Sequence, residues 1–87
     1  MPRAFHSARY AHLCRVLVGK RKAAGMTQVD VARRLDRPQS YVAKYERGER
    51  RIDVIELLEI SDAIGFDPSE VVLELRQQMR RPSGRPR

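Results

Sequence analysis

The sequence predicts an all-α fold of five helices in one domain. Apolar residues return every three to four positions in five separate stretches, the period of a helix that buries one face. Gly25, Gly48 and Gly65 close three of those stretches, and Pro38 and Pro68 stand at the start of two. No stretch alternates apolar with polar residues as a half-buried strand would, and no internal repeat appears. A chain of 87 residues has room for one modest core and no second domain.

Helix one is expected over Ser7 to Ala24, with Ser7 as its N-cap, Tyr10, Leu13, Cys14, Leu17 and Ala24 on one stripe, and Gly25 as the stop. Thr27 caps a shorter second helix through Val29, Val31, Ala32 and Leu35. It ends at Asp36, a residue able to adopt the left-handed conformation of a tight turn. Pro38 fixes φ for a third helix, Gln39 to Arg47, with Val42 and Tyr45 inward and Gly48 as the stop. Helix four opens with a capping box, Asp53 and Glu56, flanked by Ile52 and Leu57 at the hydrophobic-staple positions. Val54, Leu57, Leu58, Ser61 and Ile64 form its expected buried stripe, and Gly65 ends it. Asp67, Pro68 and Glu70 repeat the cap, proline and box pattern and start helix five, which carries Val71, Val72, Leu75 and Met79. Residues 1–6 read as a basic arm, 7–80 as the domain and 81–87 as a disordered basic tail.

Composition narrows the function. The chain is 41% hydrophobic and 33% charged, rich enough to fold and too charged to lie in a bilayer. His6, Arg9, His12 and Arg15 interrupt any signal-peptide core, so a cytoplasmic protein is expected, with no membrane partner. The net charge is +7, and it is segregated. Met1 to Val29 holds six bases and no acid, Val31 to Arg51 seven bases against three acids, and Asp53 to Leu75 seven acids and no base. A basic front with an acidic back suits a polyanion such as double-stranded DNA, although a solvated basic face without a partner has the same composition.

No enzymatic constellation is present: no glycine-rich phosphate loop, no HExxH and no serine, histidine and aspartate set. His6 and His12 are six apart, wrong for a metal pair on one helix face, and both read as solvated. Glu56 and Glu59 read as the exposed face of helix four. The single cysteine, Cys14, excludes an internal disulfide and reads as a small core residue in preference to a reactive thiol. No cofactor, metal or small-molecule substrate is implied.

Thr27 to Tyr45 is a pair of short helices joined by a tight turn, a helix-turn-helix pattern. In that arrangement helix two crosses the DNA backbone and the first turns of helix three reach base edges in the major groove. Gln39, Ser40, Tyr41 and Lys44 fall there as base-reading candidates, while Val42 and Tyr45 face inward. Tyr41 also fits a second role, as a packing residue covering the turn.

The segments Ala24-Gly25-Met26-Thr27-Gln28, Val31-Ala32-Arg33-Arg34-Leu35, Glu46-Arg47-Gly48-Glu49-Arg50-Arg51, and Leu57-Leu58 through Ala63-Ile64-Gly65 resemble the Cro/C1-type, lambda-repressor-like (XRE) helix-turn-helix family. The resemblance spans roughly Leu17 to Val71 and implies a five-helix lambda-repressor-like bundle that reads DNA as a transcriptional regulator. It also implies that Gln28 touches a phosphate and braces the recognition helix. Arg47, Arg50 and Arg51 would line a loop along the sugar-phosphate backbone; with Thr27, Gln28 and Arg37 they complete the phosphate-binding set. It further implies a partly buried ion pair between Arg21 and Glu46, although both residues also read as ordinary surface charges. Two departures stand out: Asp36 replaces a common glycine, and Pro38 a common capping serine or threonine.

Three uses of such a module remain open. A homodimer held by Val71, Val72, Leu75 and Met79 would read an inverted-repeat operator, most simply as a repressor. An antitoxin-like protein would bind a protein partner through helix five and DNA for autoregulation. A restriction-modification controller is the third.

Overall fold

The computed structural model describes residues 7–80, so the expected arm at 1–6, with His6, and the tail at 81–87 lie outside the described residues. Five helices follow one another: α1 (Ala8–Ala23), α2 (Gln28–Leu35), α3 (Gln39–Glu46), α4 (Val54–Ile64) and α5 (Pro68–Arg80), with no strand among the described residues.

Local chemistry sets the boundaries. Ser7 Oγ accepts the Tyr10 N–H at 3.1 Å and caps α1. At its far end Met26 N–H reaches Arg21 O at 3.1 Å and Gly25 N–H reaches Lys22 O at 3.0 Å, a Schellman closure that requires the positive φ of Gly25. Thr27 and Asp30 make a full capping box on α2, and the Thr27 backbone N–H holds the Asp30 carboxyl below its ordinary range. Asp36 ends α2 in the left-handed region at φ 58°, with Arg37 N–H returning to Ala32 O. Pro38 precedes α3 in extended conformation and provides no side-chain cap. Asp53 and Glu56 form the second box, at the start of α4. On α5 the Asp67 carboxylate takes the Ser69 N–H and Oγ–H, closing the cap one residue earlier than a box with Glu70 would.

α2 and α3 pack on each other as the helix-turn-helix, α1 and α4 close the core behind them, and α5 returns along α1. The core joins Leu13, Cys14 and Leu17 of α1 to Val31, Val42, Tyr45, Leu57, Ile60, Ile64 and Val71. Burial pushes the Cys14 thiol above its ordinary value, as befits a packed residue. Two polar tethers add to this core, one holding the α3–α4 loop to α1 and the other joining α2 to α4. The Tyr10 hydroxyl accepts from Ile52 N–H at 3.1 Å and donates to Arg50 O at 3.4 Å, and Arg34 Nη1 donates to Ala63 O at 3.0 Å.

Several expected burials are corrected. Ala24 and Val29 are exposed, and on α4 the stripe turns to Leu57, Ile60, Ser61 and Ile64, leaving Val54 and Leu58 outside. Packing against α2 and α5 selects this stripe, and Glu56, one position before Leu57, points toward Arg50 instead. On α5, Val71 is fully buried and Leu75 is half-buried, so neither belongs to an outward stripe; Val72 and Leu73 are the exposed apolar residues. Met79 lies in the last turn of α5, and its side chain is outside the described residues. His12 is not solvated: its Nε2 lies 2.7 Å from Glu74 Oε2 and ties α1 to α5.

Candidate nucleic-acid interface

The first turns of α3 present Gln39, Ser40 and Lys44 to solvent, with Ala43 half-buried between them. The opposite face holds Val42 and Tyr45, both fully buried, and burial drives the Tyr45 phenol well above its ordinary value. Thus α3 is fastened along one face while the other is left as a polar edge.

Its C-terminal end is anchored by charge. Glu46 receives Arg21 Nε at 2.7 Å and Arg21 Nη2 at 3.1 Å, a two-pronged contact between side chains only 12% and 5% exposed. Arg21 Nη1 spends its remaining reach on Met26 O at 3.0 Å, and Gln28 Nε2 donates to Glu46 Oε1 at 2.8 Å. Glu46 hydrogen-bonding raises the Arg21 pKa above its ordinary value, outweighing the effect of burial. Gln28 in turn accepts from Gln39 Nε2 at 2.7 Å. The family resemblance implied both the Arg21–Glu46 pair and a bracing of the recognition helix by Gln28; that the brace ends on Gln39 was not named.

Tyr41 is where the structure departs most from the expected reader. Its ring is only 7% exposed, packs edge-on against Tyr45 at 5.5 Å, and lies under the guanidinium groups of Arg37 at 4.4 Å and Arg50 at 4.8 Å. Burial raises its phenol pKa. Tyr41 is therefore a packing residue of the turn. Arg50 also donates to Arg51 O and pairs with Glu56 at 2.8 Å, so it ties the α3–α4 loop to the capping box of α4. Glu56, far from lying on an open face, is a half-buried link in that tie.

The remaining cations of the loop differ in their company. Arg47 grips Glu49 through Nε at 2.9 Å and Nη2 at 3.0 Å, with both side chains about half exposed. The guanidinium of Arg51 lies 4.0 Å over the Tyr10 ring. Thr27, besides capping α2, is exposed at its start. Exposed polar groups on the first turns of α2 and α3 and arginines in the following loop make a surface fit for a phosphate-lined groove.

The helix-turn-helix family matches residues 20–71, more than half of the chain. The chain belongs to the Cro/C1-type helix-turn-helix family. An XRE-family-like protein from Pseudomonas syringae pv. tomato str. DC3000 has a solved structure 46% identical to it, covering 84% of this chain and 89% of that one, with a TM-score of 0.80. A mutant of the restriction-modification controller protein C.Esp1396I superposes with a TM-score of 0.75 over 91% of this chain and 100% of its own. At 19% identity that likeness is one of fold alone. No curated protein matches the chain in sequence. As a helix-turn-helix protein of this family it is a DNA-binding regulator and not an enzyme. Among the described residues no helix is long and apolar enough to cross a membrane, and no group of three His, Cys, Asp or Glu is placed to hold a metal.

One surface lies away from this interface. The exposed Val54 and Leu58 of α4 and Val72 and Leu73 of α5 line a groove of about 570 Å³, rimmed by Glu70 and Arg76.

Proposed function

We propose that the protein is a sequence-specific repressor that binds double-stranded DNA as a homodimer, acting on the chromosome in a bacterial cytoplasm. The observation that carries this is the exposed polar edge of α3, Gln39, Ser40 and Lys44, on a helix whose other face and far end are locked into the core. Gln39 has the donor and acceptor pair that matches adenine, Lys44 can donate to guanine acceptors, and Ser40 can bond either way. The Ala43 methyl, one turn after Gln39, adds an apolar contact of the kind that suits a thymine methyl. Thr27, Gln28, Arg37, Arg47 and Arg51 hold the phosphates, and Arg50 acts mainly by fixing the loop that carries its neighbours.

A single module of this size offers few base contacts, and a dimer doubles them. The α4–α5 groove supports a second copy as its occupant: it is apolar along its floor and carries one acid and one base on its rim, so a two-fold copy meets complementary charge. This moves the proposed interface from Val71 and Leu75, which the core occupies, to Val54, Leu58, Val72 and Leu73. Met79 lies further along the same helix.

Selection of bound sequences from a random DNA pool, followed by sedimentation of the protein on the winning duplex, tests the whole reading. Two copies should bind an inverted repeat whose half-site centres lie about 34 Å apart, one helical turn. Leu73→Glu should abolish pairing while circular dichroism stays helical. Enrichment of no sequence, or a single copy on a site without a repeat, would overturn it.

A further inference from the structure

Tyr10 of α1 fixes Arg51 on both sides of its backbone and beneath its side chain. The Tyr10 hydroxyl donates to Arg50 O at 3.4 Å and accepts from Ile52 N–H at 3.1 Å, while its ring lies 4.0 Å under the Arg51 guanidinium. A guanidinium held this way has less rotamer freedom to lose on meeting a ligand. Next to it is a small cleft of about 160 Å³, where the start of α1 meets the α3–α4 loop and α5. Ser7, Arg9, Tyr10, Leu13, Arg51 and Leu75 line it, two arginines with no carboxylate. Glu56 of α4 and Glu74 of α5 are engaged elsewhere, by Arg50 and His12. Two like charges in one cleft repel each other until an anion joins them, and guanidinium N–H groups match the oxygens of a phosphate. The buried Leu13 and Tyr10 and the half-buried Leu75 give that contact apolar surroundings, which strengthen it.

We propose that Arg9 and Arg51 hold one DNA phosphate between them at this cleft, so that α1 adds a backbone contact to those of the helix-turn-helix and its loop. The occupant is a phosphodiester of the duplex and not a free anion, because the cleft adjoins the loop that carries Arg47 and Arg51 along the DNA. The inference rests on that placement of the loop, as proposed above. Such a site anchors without reading: every phosphodiester presents the same oxygens, so Arg9 contributes affinity and register and no base preference.

The test is binding of the full chain to its selected duplex over a range of salt concentrations, repeated on duplexes that carry one uncharged methylphosphonate at each backbone position in turn. Wild type, Arg9→Ala, Arg9→Lys, Arg51→Ala, the double variant Arg9→Ala with Arg51→Ala, and Arg47→Ala are compared. Arg9 is exposed on the first turn of α1, so its replacement leaves the fold intact, and melting temperature verifies this for every variant. Arg9→Ala should flatten the logarithmic salt dependence by about 0.9 and leave base preferences unaltered, whereas Arg9→Lys, which keeps the charge, should keep most of the slope. The methylphosphonate penalty should shrink at the same position in Arg9→Ala and in Arg51→Ala and vanish there in the double variant. If Arg9→Ala keeps the wild-type slope while Arg47→Ala flattens it, or if the two single variants lose sensitivity at different positions, the shared site is overturned and the loop reading stands. A slope that flattens in Arg9→Ala without a change at any one position places a free anion in the cleft and overturns the proposal as well. If neither Arg9→Ala nor Arg47→Ala alters the slope, the loop does not follow the backbone and the cleft falls with it.

Discussion

Glu46 and Glu49 stand three residues apart, and each grips an arginine with two hydrogen bonds of similar length: 2.7 and 3.1 Å to Arg21, 2.9 and 3.0 Å to Arg47. Their surroundings differ. The first pair ends α3 with its side chains 12% and 5% exposed, whereas the second sits in the following loop at 57% and 47%. In the buried pair each partner has already lost its water, so losing the other leaves a charge stranded. In the exposed pair water or a phosphate replaces the lost partner at little cost. The recognition helix is thus fixed at its inner end by charges that have nowhere else to go, and followed by charges free to exchange partners.

The largest expected effect lies at the buried pair. Glu46→Ala should lower unfolding free energy by about 3 to 5 kcal/mol, a large share of the stability of so small a domain. Replacing both partners together, Arg21→Met with Glu46→Met, should recover most of that loss, because no charge is then left unpaired. Urea titrations of wild type, these two variants and Glu49→Ala decide this. A Glu46→Ala loss no larger than that of Glu49→Ala would erase the distinction between the two pairs.

Arg50 and Glu56 occupy the middle ground, 39% and 13% exposed. Solvent screens the arginine, so Arg50→Ala should cost about 1 kcal/mol from the pair and the stacking on Tyr41 together. The Arg50 guanidinium, then the Asp53 N–H, hold the Glu56 carboxyl below its ordinary value of 4.5. A depressed folded pKa means that this stabilisation is present above 4.5 and is lost as pH falls through the lower folded value. Thermal melts of Glu56→Gln should accordingly fall less steeply in acid than those of wild type. Parallel acid limbs would show that the pair contributes nothing.

A smaller change sharpens the turn between α2 and α3. Asp36 holds φ at 58°, where an L-residue is strained and glycine is not, although glycine loses more chain entropy on folding. Asp36→Gly should therefore raise stability by about 0.5 kcal/mol, read as a rise in denaturation midpoint. A drop would mean that the aspartate side chain contributes more to the turn than its backbone strain costs.

Helix boundaries were legible in the sequence because caps are local: Ser7, Thr27 and Asp53 each act on an N–H three residues away. The sidedness of α4 and α5 was not. Val54 and Leu58 share a helical spacing with one another just as Leu57, Ser61 and Ile64 do, and only packing against other helices chooses between the stripes. The same limit applies to the site. A run of arginines after α3 reads as a cationic loop, but nothing in its spacing separates Arg50, drawn onto Tyr41 and Glu56, from Arg47, which faces solvent beside Glu49. Of the two roles open to Tyr41, its surroundings favour packing, and they come from Tyr45 and from arginines in two different loops that spacing alone does not bring together. The Gln28 to Gln39 bond was hidden too, since an amide can turn either end outward until a neighbour of fixed polarity decides.

The smallest stability effect is expected at the exposed pair, and it comes with an effect on binding. Glu49→Ala removes no buried contact, so its melting temperature should match that of wild type. Arg47, which now spends two donors on Glu49, would be released toward the DNA backbone. Each further phosphate neutralised releases counterions and steepens the logarithmic dependence of affinity on salt by about 0.9. Glu49→Ala should then bind all sequences more tightly at low salt, with a slope steeper by up to that amount and base preferences unaltered. Arg47→Ala should move affinity and slope the opposite way. Titrations of each variant over a range of salt concentrations measure both quantities. A Glu49→Ala protein that binds with the wild-type slope and affinity would mean that Glu49 does not hold Arg47 back from the phosphates, and an Arg47→Ala protein with the wild-type slope that Arg47 does not reach one.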